Sequence, residues 1–429
     1  MRVRVSARLF AIFIFSSVLA ACLSACGGGG GSSSIITPPI TPPVTTKGYA
    51  VADTMNNPVL IFTAQFSTNQ GASAVLGQAD SSHGAANQGN GTPGANTLNM
   101  PIGVAVDGSG NFYVGDGTNG RVLQFKPPFT SNMDASVVFG ESGMTTGYGG
   151  NQGTSATASG LSAPYLYMAI DSQGDLWVSD YANSRVVEYS PPFSNGMAAT
   201  LAIGQTTTGA LPANTCNQGA GGGANPTAKT LCHPDGITFD ASGNLWVADA
   251  DNQRVLEFKP PFATDMAASL EVGQPAANAF TTNLVDPGNA VSASSLYAPN
   301  DAVFDSTGNL WVTDTGNARV LMFAPPFSNG MNATLELADP PGSSQFTTRN
   351  AWLTQSGMNA PISLRFDTEG DIFVTDQQYH RVLIFDPPFT NGMDATTVLG
   401  QADFISGTAN QGGSIGPKTL NSPYGGVTF

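Results

Sequence analysis

The stretch HPDGITFDASGNLWVADADNQRVLEFKPPF, residues 233–262, decides the fold. It contains three short apolar runs of the kind that form β-strands, and each run ends at a cluster of turn residues. The stretch recurs four more times, and a divided sixth copy joins the two chain ends. Such repetition predicts a repeat architecture. The full copies occupy residues 101–129, 164–193, 233–262, 299–327 and 361–389.

Every copy keeps a fixed register that includes a fourth apolar run after a Pro-Pro-Phe turn. Residues 49–66 lack the first run of the repeat, and residues 423–429 at the other chain end supply it. Pairing the C-terminal strand with the N-terminal strands would close a ring and remove exposed sheet edges. The sequence therefore predicts an all-β fold, a six-bladed β-propeller of four-stranded antiparallel blades.

The repeated polar residues are interpreted as structural. The DxxGN segment between the first two runs has turn chemistry, because Asp accepts hydrogen bonds from turn amides and Gly adopts a positive φ. The Asp, Asn and Arg of DxxNxRV recur all round the ring, so we expect them to bond turns and backbone between blades. The second run carries an aromatic residue, predicted to pack between blades, which is Trp177, Trp246 or Trp311 in three copies.

The N-terminus has the pattern of an export signal, with Arg2, Arg4 and Arg8 before an apolar run and then small residues. The segments LAAC and LSAC, ending at Cys22 and Cys26, resemble the lipobox of bacterial lipoproteins. This resemblance implies lipidation at Cys26, with Cys22 as the alternative, and anchoring in the cell envelope with the outer membrane favoured. We expect a signal peptide over 1–26, a Gly/Ser and then Thr/Pro-rich tether over 27–47, and a propeller over 48–429.

Charge and cysteine content restrict the function further. Without the three signal arginines the chain has 12 basic residues against 30 acidic ones, a surface that repels phosphate backbones, so we expect no nucleic-acid binding. Outside the signal the only cysteines are Cys216 and Cys232, beside the longest loop between repeats. In an oxidising compartment they predict a disulfide, since a metal site would need more ligands than His233 supplies.

The repeat resembles a known family. The segments GITFDASGNLWVADADNQRVLEF, GVAVDGSGNFYVGDGTNGRVLQF and AVFDSTGNLWVTDTGNARVLMF look like NHL repeats, and the resemblance extends over most of residues 48–429. It implies a six-bladed β-propeller, most often an interaction platform, with a few enzymes among its relatives. The sequence departs from the motif at Pro58, where the family has Arg, and at Tyr379, where it has Asn.

A unique site is expected where the copies differ, because residues shared by all copies serve the scaffold. In a propeller the first strand of each blade lines the central channel, and the residues that open these strands vary between copies. Variation of this kind is what an asymmetric pocket requires. The candidate ligand face consists of Tyr165, His233, Asp235, Asn300, Asp301, Tyr379, His380 and Tyr424.

We expect a monomeric, lipid-anchored module that binds a protein or small ligand at this loop-rich face, with no reaction of its own and no cofactor. The alternative is a metal-dependent lyase or lactonase-like hydrolase on the same fold, using zinc or calcium. Only three histidines, His83, His233 and His380, could ligate zinc, and their spacing matches no zinc motif. Asp235, Asn300 and Asp301 could supply part of a calcium site.

Overall fold

The apolar runs of the repeat form the strands that the sequence predicts. The computed structural model describes residues 47–147, 150–153, 155–162, 165–208, 216–218, 225–338, 346–349 and 351–429. In this part of the chain, 24 strands form six four-stranded antiparallel sheets, which pack as the blades of a propeller. The predicted signal peptide, both candidate lipidation cysteines and all but the last residue of the tether lie outside the described residues.

The blades follow one another along the chain, and the strands of each blade run in order from the innermost outward. Blade 1 consists of β24 (Pro423–Thr428), β1 (Gly48–Asp53), β2 (Val59–Thr63) and β3 (Ala74–Leu76). Blade 2 consists of β4 (Pro101–Val106), β5 (Phe112–Asp116), β6 (Arg121–Phe125) and β7 (Val137–Phe139). Blade 3 consists of β8 (Leu166–Ile170), β9 (Leu176–Asp180), β10 (Arg185–Tyr189) and β11 (Leu201–Ile203).

The remaining three blades have the same order. Blade 4 consists of β12 (Pro234–Phe239), β13 (Leu245–Asp249), β14 (Arg254–Phe258) and β15 (Leu270–Val272). Blade 5 consists of β16 (Pro299–Phe304), β17 (Leu310–Asp314), β18 (Arg319–Phe323) and β19 (Leu335–Leu337). Blade 6 consists of β20 (Pro361–Phe366), β21 (Ile372–Asp376), β22 (Arg381–Phe385) and β23 (Thr397–Leu399).

The ring closes between the chain ends, as predicted. Strand β24 pairs antiparallel with β1, with Val427 opposite Ala50, so the last strand of the chain becomes the inner strand of the first blade. Because of this closure, β1 has a hydrogen-bonded partner on each side, and the blade that contains both chain ends is a complete four-stranded sheet.

Helical structure in the described residues is confined to single turns. One α-helical turn spans Asp286–Asn289. None of the helices in the described ranges is long and apolar enough to cross a membrane. The 3₁₀ turns span Thr54–Asn56, Ala86–Gly89, Asn151–Gly153, Tyr181–Asn183, Cys216–Gln218, Ala250–Asn252, Ala276–Asn278, Thr315–Asn317 and Ala409–Gly412.

The aromatic position of the second strand packs between blades, which confirms the prediction. Trp246 is fully buried, and its ring lies 5.4 Å from that of Phe304 and 5.1 Å from that of Phe327, both in blade 5. Its Nε1 donates a hydrogen bond to Asp240 in the turn between β12 and β13. Trp177 and Trp311 make the same contacts with the blades that follow them. Much of the core therefore lies between adjacent blades.

The DxxNxRV residues form a buried network that repeats round the ring. Arg254 donates from Nε to Asp249 over 2.8 Å, and its Nη2 donates to the carbonyls of Thr227 and Thr230 in the loop that precedes the blade. Equivalent ion pairs occur in four other blades, at Arg121, Arg185, Arg319 and Arg381. The arginines thus attach each interblade loop to the scaffold, which is the structural role that the repetition predicts.

The propeller has two chemically different faces. The upper face carries the connections from the fourth strand of one blade to the first strand of the next, together with the turns between second and third strands. The lower face carries the DxxGN turns and the Pro-Pro-Phe turns. Lys47, the first described residue, forms an ion pair with Glu369 in a DxxGN-type turn, so the chain enters the propeller at the lower face.

Candidate ligand-binding site

The inner strands differ most where they begin, near the upper face. Two residues after the opening proline, blades 1, 2 and 4 carry glycine, whereas blades 5 and 6 carry Asp301 and Ser363. Blade 3 has one additional residue, which places Tyr167 opposite Ser179 at the level where Asp301 pairs with Thr313. The strands approach closely at this level, since a Cβ atom on Gly236 would lie 2.3 Å from Oδ1 of Asp301. Larger side chains from other blades therefore occupy the mouth of the channel.

A row of aromatic rings leads from the upper rim into this mouth. The ring of Tyr181 stacks on that of His233 at 4.5 Å and meets the edge of Tyr165 at 4.8 Å. Tyr165 stacks on Tyr424 at 5.3 Å, and Tyr424 lies 6.2 Å from Tyr167. We call Tyr181, Tyr165, Tyr424 and Tyr167 the tyrosine row. Tyr165 and Tyr181 are partly exposed, whereas Tyr424 and Tyr167 are buried, so the row connects solvent with the channel.

Tyr167 extends across the channel from blade 3. It packs in one apolar cluster with Ile102, Ile362 and Tyr424, which belong to the inner strands of three other blades. Its hydroxyl group has no hydrogen-bond partner among the described residues although the side chain is only 1% exposed. The cluster therefore closes the upper end of the channel with apolar rings but leaves a buried polar atom unsatisfied.

Asp235 is the buried carboxylate of this mouth. It is 3% exposed, and Nδ2 of Asn300 donates to its Oδ2 over 2.5 Å. Its Oδ1 has no hydrogen-bond partner in the described part of the chain. Burial raises the pKa of Asp235 well above its usual range, the charges of Asp251 and Asp301 raise it further, and the bond from Asn300 opposes them.

Asp301 lies next to Asp235 but is fully partnered. Arg365 forms an ion pair with its Oδ2, which also accepts from the backbone nitrogen of Leu364 at 3.2 Å. Its Oδ1 accepts from the backbone nitrogen of Ala302 at 3.0 Å. Of the two neighbouring carboxylates, only that of Asp235 retains an acceptor for a ligand.

The rim beside Tyr181 is held by a covalent bond and an ion pair. Cys216 and Cys232 form the predicted disulfide. Nδ1 of the next residue, His233, lies 2.6 Å from the carboxylate of Asp251, and the two side chains are 22% and 50% exposed. The disulfide and the ion pair fix the backbone and the imidazole against which Tyr181 stacks.

Below the apolar cluster around Tyr167, the channel opens toward the lower face. A cavity of about 260 Å³ is lined by the inner strands of all six blades, including Val104, Met168, Ile237 and Val427. Arg365 is the one charged residue among the described residues that line it, and its charge is already paired with Asp301. The lower channel is therefore mainly apolar, and Oδ1 of Asp235 lies above it.

Two groups of three or more residues in the described ranges could supply metal ligands. One contains Cys216, Cys232, His233 and Asp251, but the disulfide leaves only the last two free to ligate. The other lies at the lower face and consists of Asp171, Asp175 and Glu188. Neither contains two histidines, so the arrangement does not match a histidine-ligated zinc centre.

The structure brings six of the eight predicted site residues together at the channel mouth: Tyr165, His233, Asp235, Asn300, Asp301 and Tyr424. The other two have different partners. The ring of Tyr379 lies over the guanidinium of Arg381, 5.3 Å away, and Nδ1 of His380 accepts a hydrogen bond from the backbone of Ser422. These two residues join blade 6 to the adjoining loops.

Four site residues were not identified from the sequence: Tyr167, Tyr181, Asp251 and Ser363. Tyr181 follows the repeat residue Asp180 in a turn that the repetition assigns to the scaffold. Its aromatic ring distinguishes it from the Thr, Gly, Ala or Gln of the other copies. The additional residue between Pro164 and Asp171 was a usable signal for Tyr167, because it shifts the register of one inner strand. Ser363 and Asp251 carried no such signal.

Comparisons with known proteins support the fold. The sequence profile of the NHL repeat matches residues 98–125 and 231–258. No curated protein sequence matches the chain. Similar solved structures include the nidogen/laminin complex (13% identical, 89% of this chain and 98% of that chain, TM-score 0.46) and virginiamycin B lyase from Staphylococcus aureus (12%, 70% and 72%, 0.36).

A protein of unknown function from Bacteroides caccae is also similar (9% identical, 82% of this chain and 98% of that chain, TM-score 0.43). At these identities and TM-scores the structural likenesses carry no argument about function. The two matched repeats lie in blades 2 and 4, and the other blades have the same strands, turns and Asp–Arg pairs, except that blade 1 lacks the arginine. The chain is a six-bladed β-propeller in which blades 2 and 4 match the NHL repeat.

Proposed function

We propose that the protein is a lipid-anchored, extracytoplasmic binding module that takes a small ligand or a group of a partner protein at the mouth of its central channel. The observation that carries this proposal is the unpartnered Oδ1 of Asp235 at the inner end of the tyrosine row. An unsatisfied buried carboxylate is costly to keep, and a ligand that bonds to it removes that cost.

The surroundings of the mouth also favour binding at the upper face. Large apolar side chains are exposed in the connections after blades 4, 5 and 6, namely Leu284 (49% exposed), Trp352 (47%) and Ile405 (71%). All three lie in connections of the upper face, where they expose apolar area to solvent. The lower face, by contrast, consists largely of repeated turns whose polar groups bond within the turn, as in the turn at Asp240.

The point of chain entry fits an anchored module. Lys47, the first described residue, lies at the lower face, opposite the proposed site. Lipidation at Cys26, with Cys22 as the alternative, and an outer-membrane location remain part of the proposal. Labelling the full chain with a radioactive fatty acid, in parallel with Cys26→Ser and Cys22→Ser, identifies the anchor; label retained in both single variants would contradict lipidation at either cysteine alone.

The binding proposal is tested with the purified propeller, residues 47–429, in a thermal-shift screen of envelope metabolites and peptides. We expect a hit that raises the melting temperature of the wild type and loses at least tenfold in affinity in Tyr181→Ala, because that variant removes the rim of the tyrosine row. Thr307→Ala, in a lower-face turn, is the matched control and should bind normally. A hit that Thr307→Ala weakens and Tyr181→Ala does not would contradict the proposal.

The second candidate is an enzyme, and the pair of His233 and Asp251 is the observation in its favour. A carboxylate that orients an imidazole is a common general-base arrangement. Metal analysis of the purified propeller tests the metal-dependent lyase or lactonase-like form of this candidate. Stoichiometric zinc or calcium that is lost in His233→Gln or Asp235→Asn would favour the enzyme over the binding module.

A further inference from the structure

The sign of the charge at the channel mouth restricts the ligand class. The carboxylates of Asp251 and Asp301 and the hydroxyls of Tyr167, Tyr181 and Tyr424 lie within electrostatic range of Asp235. The nearby cation Arg365 is already engaged with Asp301, and Nδ1 of His233 is hydrogen-bonded to Asp251. An ionised Asp235 therefore has no positive partner of its own in the described structure, and the mouth attracts cations and repels anions.

The ligand atoms offered do not suit a calcium ion. Calcium takes six to eight oxygen ligands, most of them carboxylate or carbonyl oxygens. At the channel mouth Asn300 occupies Oδ2 of Asp235, and Arg365 with two backbone nitrogens occupies Asp301. One carboxylate oxygen remains, and the other nearby groups are phenol rings and hydroxyls. This combination fits an organic cation better than a metal ion.

Aromatic rings and hydroxyl acceptors complete such a site. A cationic nitrogen within about 6 Å of a tyrosine ring is attracted by the electrons of the ring. The hydroxyl of Tyr167 and Oγ of Ser363 are buried and without hydrogen-bond partners in the described residues, so both are available to N–H donors. Tyr165 is partly exposed and hydrogen-bonds to Tyr424, and rotation of its ring would admit a ligand.

We propose that the channel mouth binds the ammonium group of an organic amine, with Oδ1 of Asp235 as its counter-ion and the tyrosine row stacking on the apolar body of the ligand. The inference rests on the proposed function, because it names the ligand class of the same site. It commits to an amine with one positive charge, since a single carboxylate oxygen is free to receive it.

Binding by this mechanism depends on pH in a defined direction. Burial and the charges of Asp251 and Asp301 raise the pKa of Asp235, so in the empty site its protonated form persists above the usual range. An ammonium group binds the ionised form, which means that binding releases a proton. Affinity for a permanently protonated amine should therefore increase as the pH rises through the raised pKa of Asp235, and it should level off above that value.

The test uses the purified propeller, residues 47–429, and two probes of equal shape, benzylamine and the neutral benzyl alcohol, measured by isothermal titration calorimetry. We expect the wild type to bind benzylamine at least tenfold more tightly than benzyl alcohol. Asp235→Asn should abolish that preference, since an amide keeps the bond with Asn300 but carries no charge. Asp134→Asn, which neutralises an exposed carboxylate, is the matched control and should bind as the wild type does.

The outcomes separate this inference from the proposed function. Loss of the amine preference in Asp235→Asn, with the wild-type pH dependence absent from the variant, supports the ammonium site. Equal binding of both probes, with loss of both in Tyr181→Ala, overturns the ammonium site and keeps a binding site for neutral ligands. Binding of neither probe at millimolar concentration overturns the ammonium site, and the binding module is then decided by its own screen.

Discussion

Two of the buried carboxylates of blade 4, Asp249 and Asp235, lie on adjacent strands, and their surroundings differ. Asp249 accepts hydrogen bonds from Arg254, Asn252 and the backbone of Cys232, each at 2.7–2.8 Å. Asp235 accepts one bond from a side chain, and its other oxygen has no partner in the described structure. The carboxylate of Asp249, which belongs to the repeat, is saturated, and that of Asp235, which occurs once, is not. In blade 4 the repeated acid serves the scaffold, and the unrepeated acid is available to a ligand.

Replacing Arg254, the cation that pairs with Asp249, should have the largest effect on stability. In Arg254→Leu the carboxylate of Asp249 and two loop carbonyls lose their donor while they remain buried, so we expect a loss of about 3–5 kcal/mol in the free energy of unfolding. Chemical denaturation measures it. Lys229→Ala, which breaks the exposed pair with Asp265, is the control and should cost less than about 1 kcal/mol. Equal losses in both variants would contradict the scaffold role.

Loss of the disulfide should have the next largest effect on stability. Cys216 and Cys232 are 16 residues apart, and a cross-link that closes a loop of this length stabilises a protein by about 3 kcal/mol. We expect a loss of that order in the double variant Cys216→Ser/Cys232→Ser, measured by thermal unfolding under non-reducing conditions. Addition of reductant should destabilise the wild type and leave the double variant unchanged; destabilisation of both would mean that the disulfide is not the group affected.

Asp53 sharpens the comparison, because it is the copy of Asp249 in the blade where Pro58 replaces the arginine. Burial raises its pKa to about 7, whereas Asp376, which keeps Arg381, has a pKa of about 6. Between about pH 4 and pH 7 the folded protein holds a proton on Asp53 that the unfolded chain releases. Asp53 therefore makes the protein less stable as the pH rises through this window.

We expect Asp53→Asn to lack this contribution. Relative to the wild type, the variant should gain steadily in unfolding free energy between about pH 4 and pH 7, with no further change above about pH 8. Denaturation of both proteins across this range measures the difference. Parallel pH profiles would contradict the raised pKa of Asp53.

The smallest effect concerns the NQG segments of the interblade loops. Asn217 exchanges two side-chain hydrogen bonds with Asn252 of the repeat, at 2.9 and 3.1 Å. Asn217→Ala should cost about 1–2 kcal/mol, because it leaves part of a buried amide unpaired. Asn332→Ala, at an exposed position, is the control and should cost less than about 0.5 kcal/mol in chemical denaturation.

Most of the fold could be predicted from the sequence, because the same local patterns recur in the six copies of the repeat. The strand register, the closure of the ring by residues 423–429 and the turn role of Asp240 all followed from local patterns that recur. The pairing of NQG asparagines with repeat asparagines did not follow. It joins residues that are 32 positions apart in the case of Asn87 and Asn119, and no local pattern shows which side chains meet.

The site could be predicted only in part. The variable openings of the inner strands identified Tyr165, Asp235, Asn300, Asp301 and Tyr424, since the channel must be lined by those strands. The sequence also predicts Tyr379 and His380 at this rim, whereas the structure gives them neighbours in blade 6 and its loops. Which of two adjacent carboxylates keeps a free oxygen depends on Arg365, whose side chain reaches Asp301 from the next blade. Contacts between blades are not encoded in local spacing.

Crystallographic fragment screening of the propeller tests the central claim most directly, because it does not presuppose a ligand. The contrast between saturated and unsaturated groups predicts that fragments cluster at the channel mouth, within hydrogen-bond distance of Oδ1 of Asp235 and against the tyrosine row. The lower face offers a competing cavity of about 440 Å³ beside Asp171 and Phe262. Fragments that occupy this lower cavity and leave the channel mouth empty would contradict the assignment of function to the residues that break the repeat.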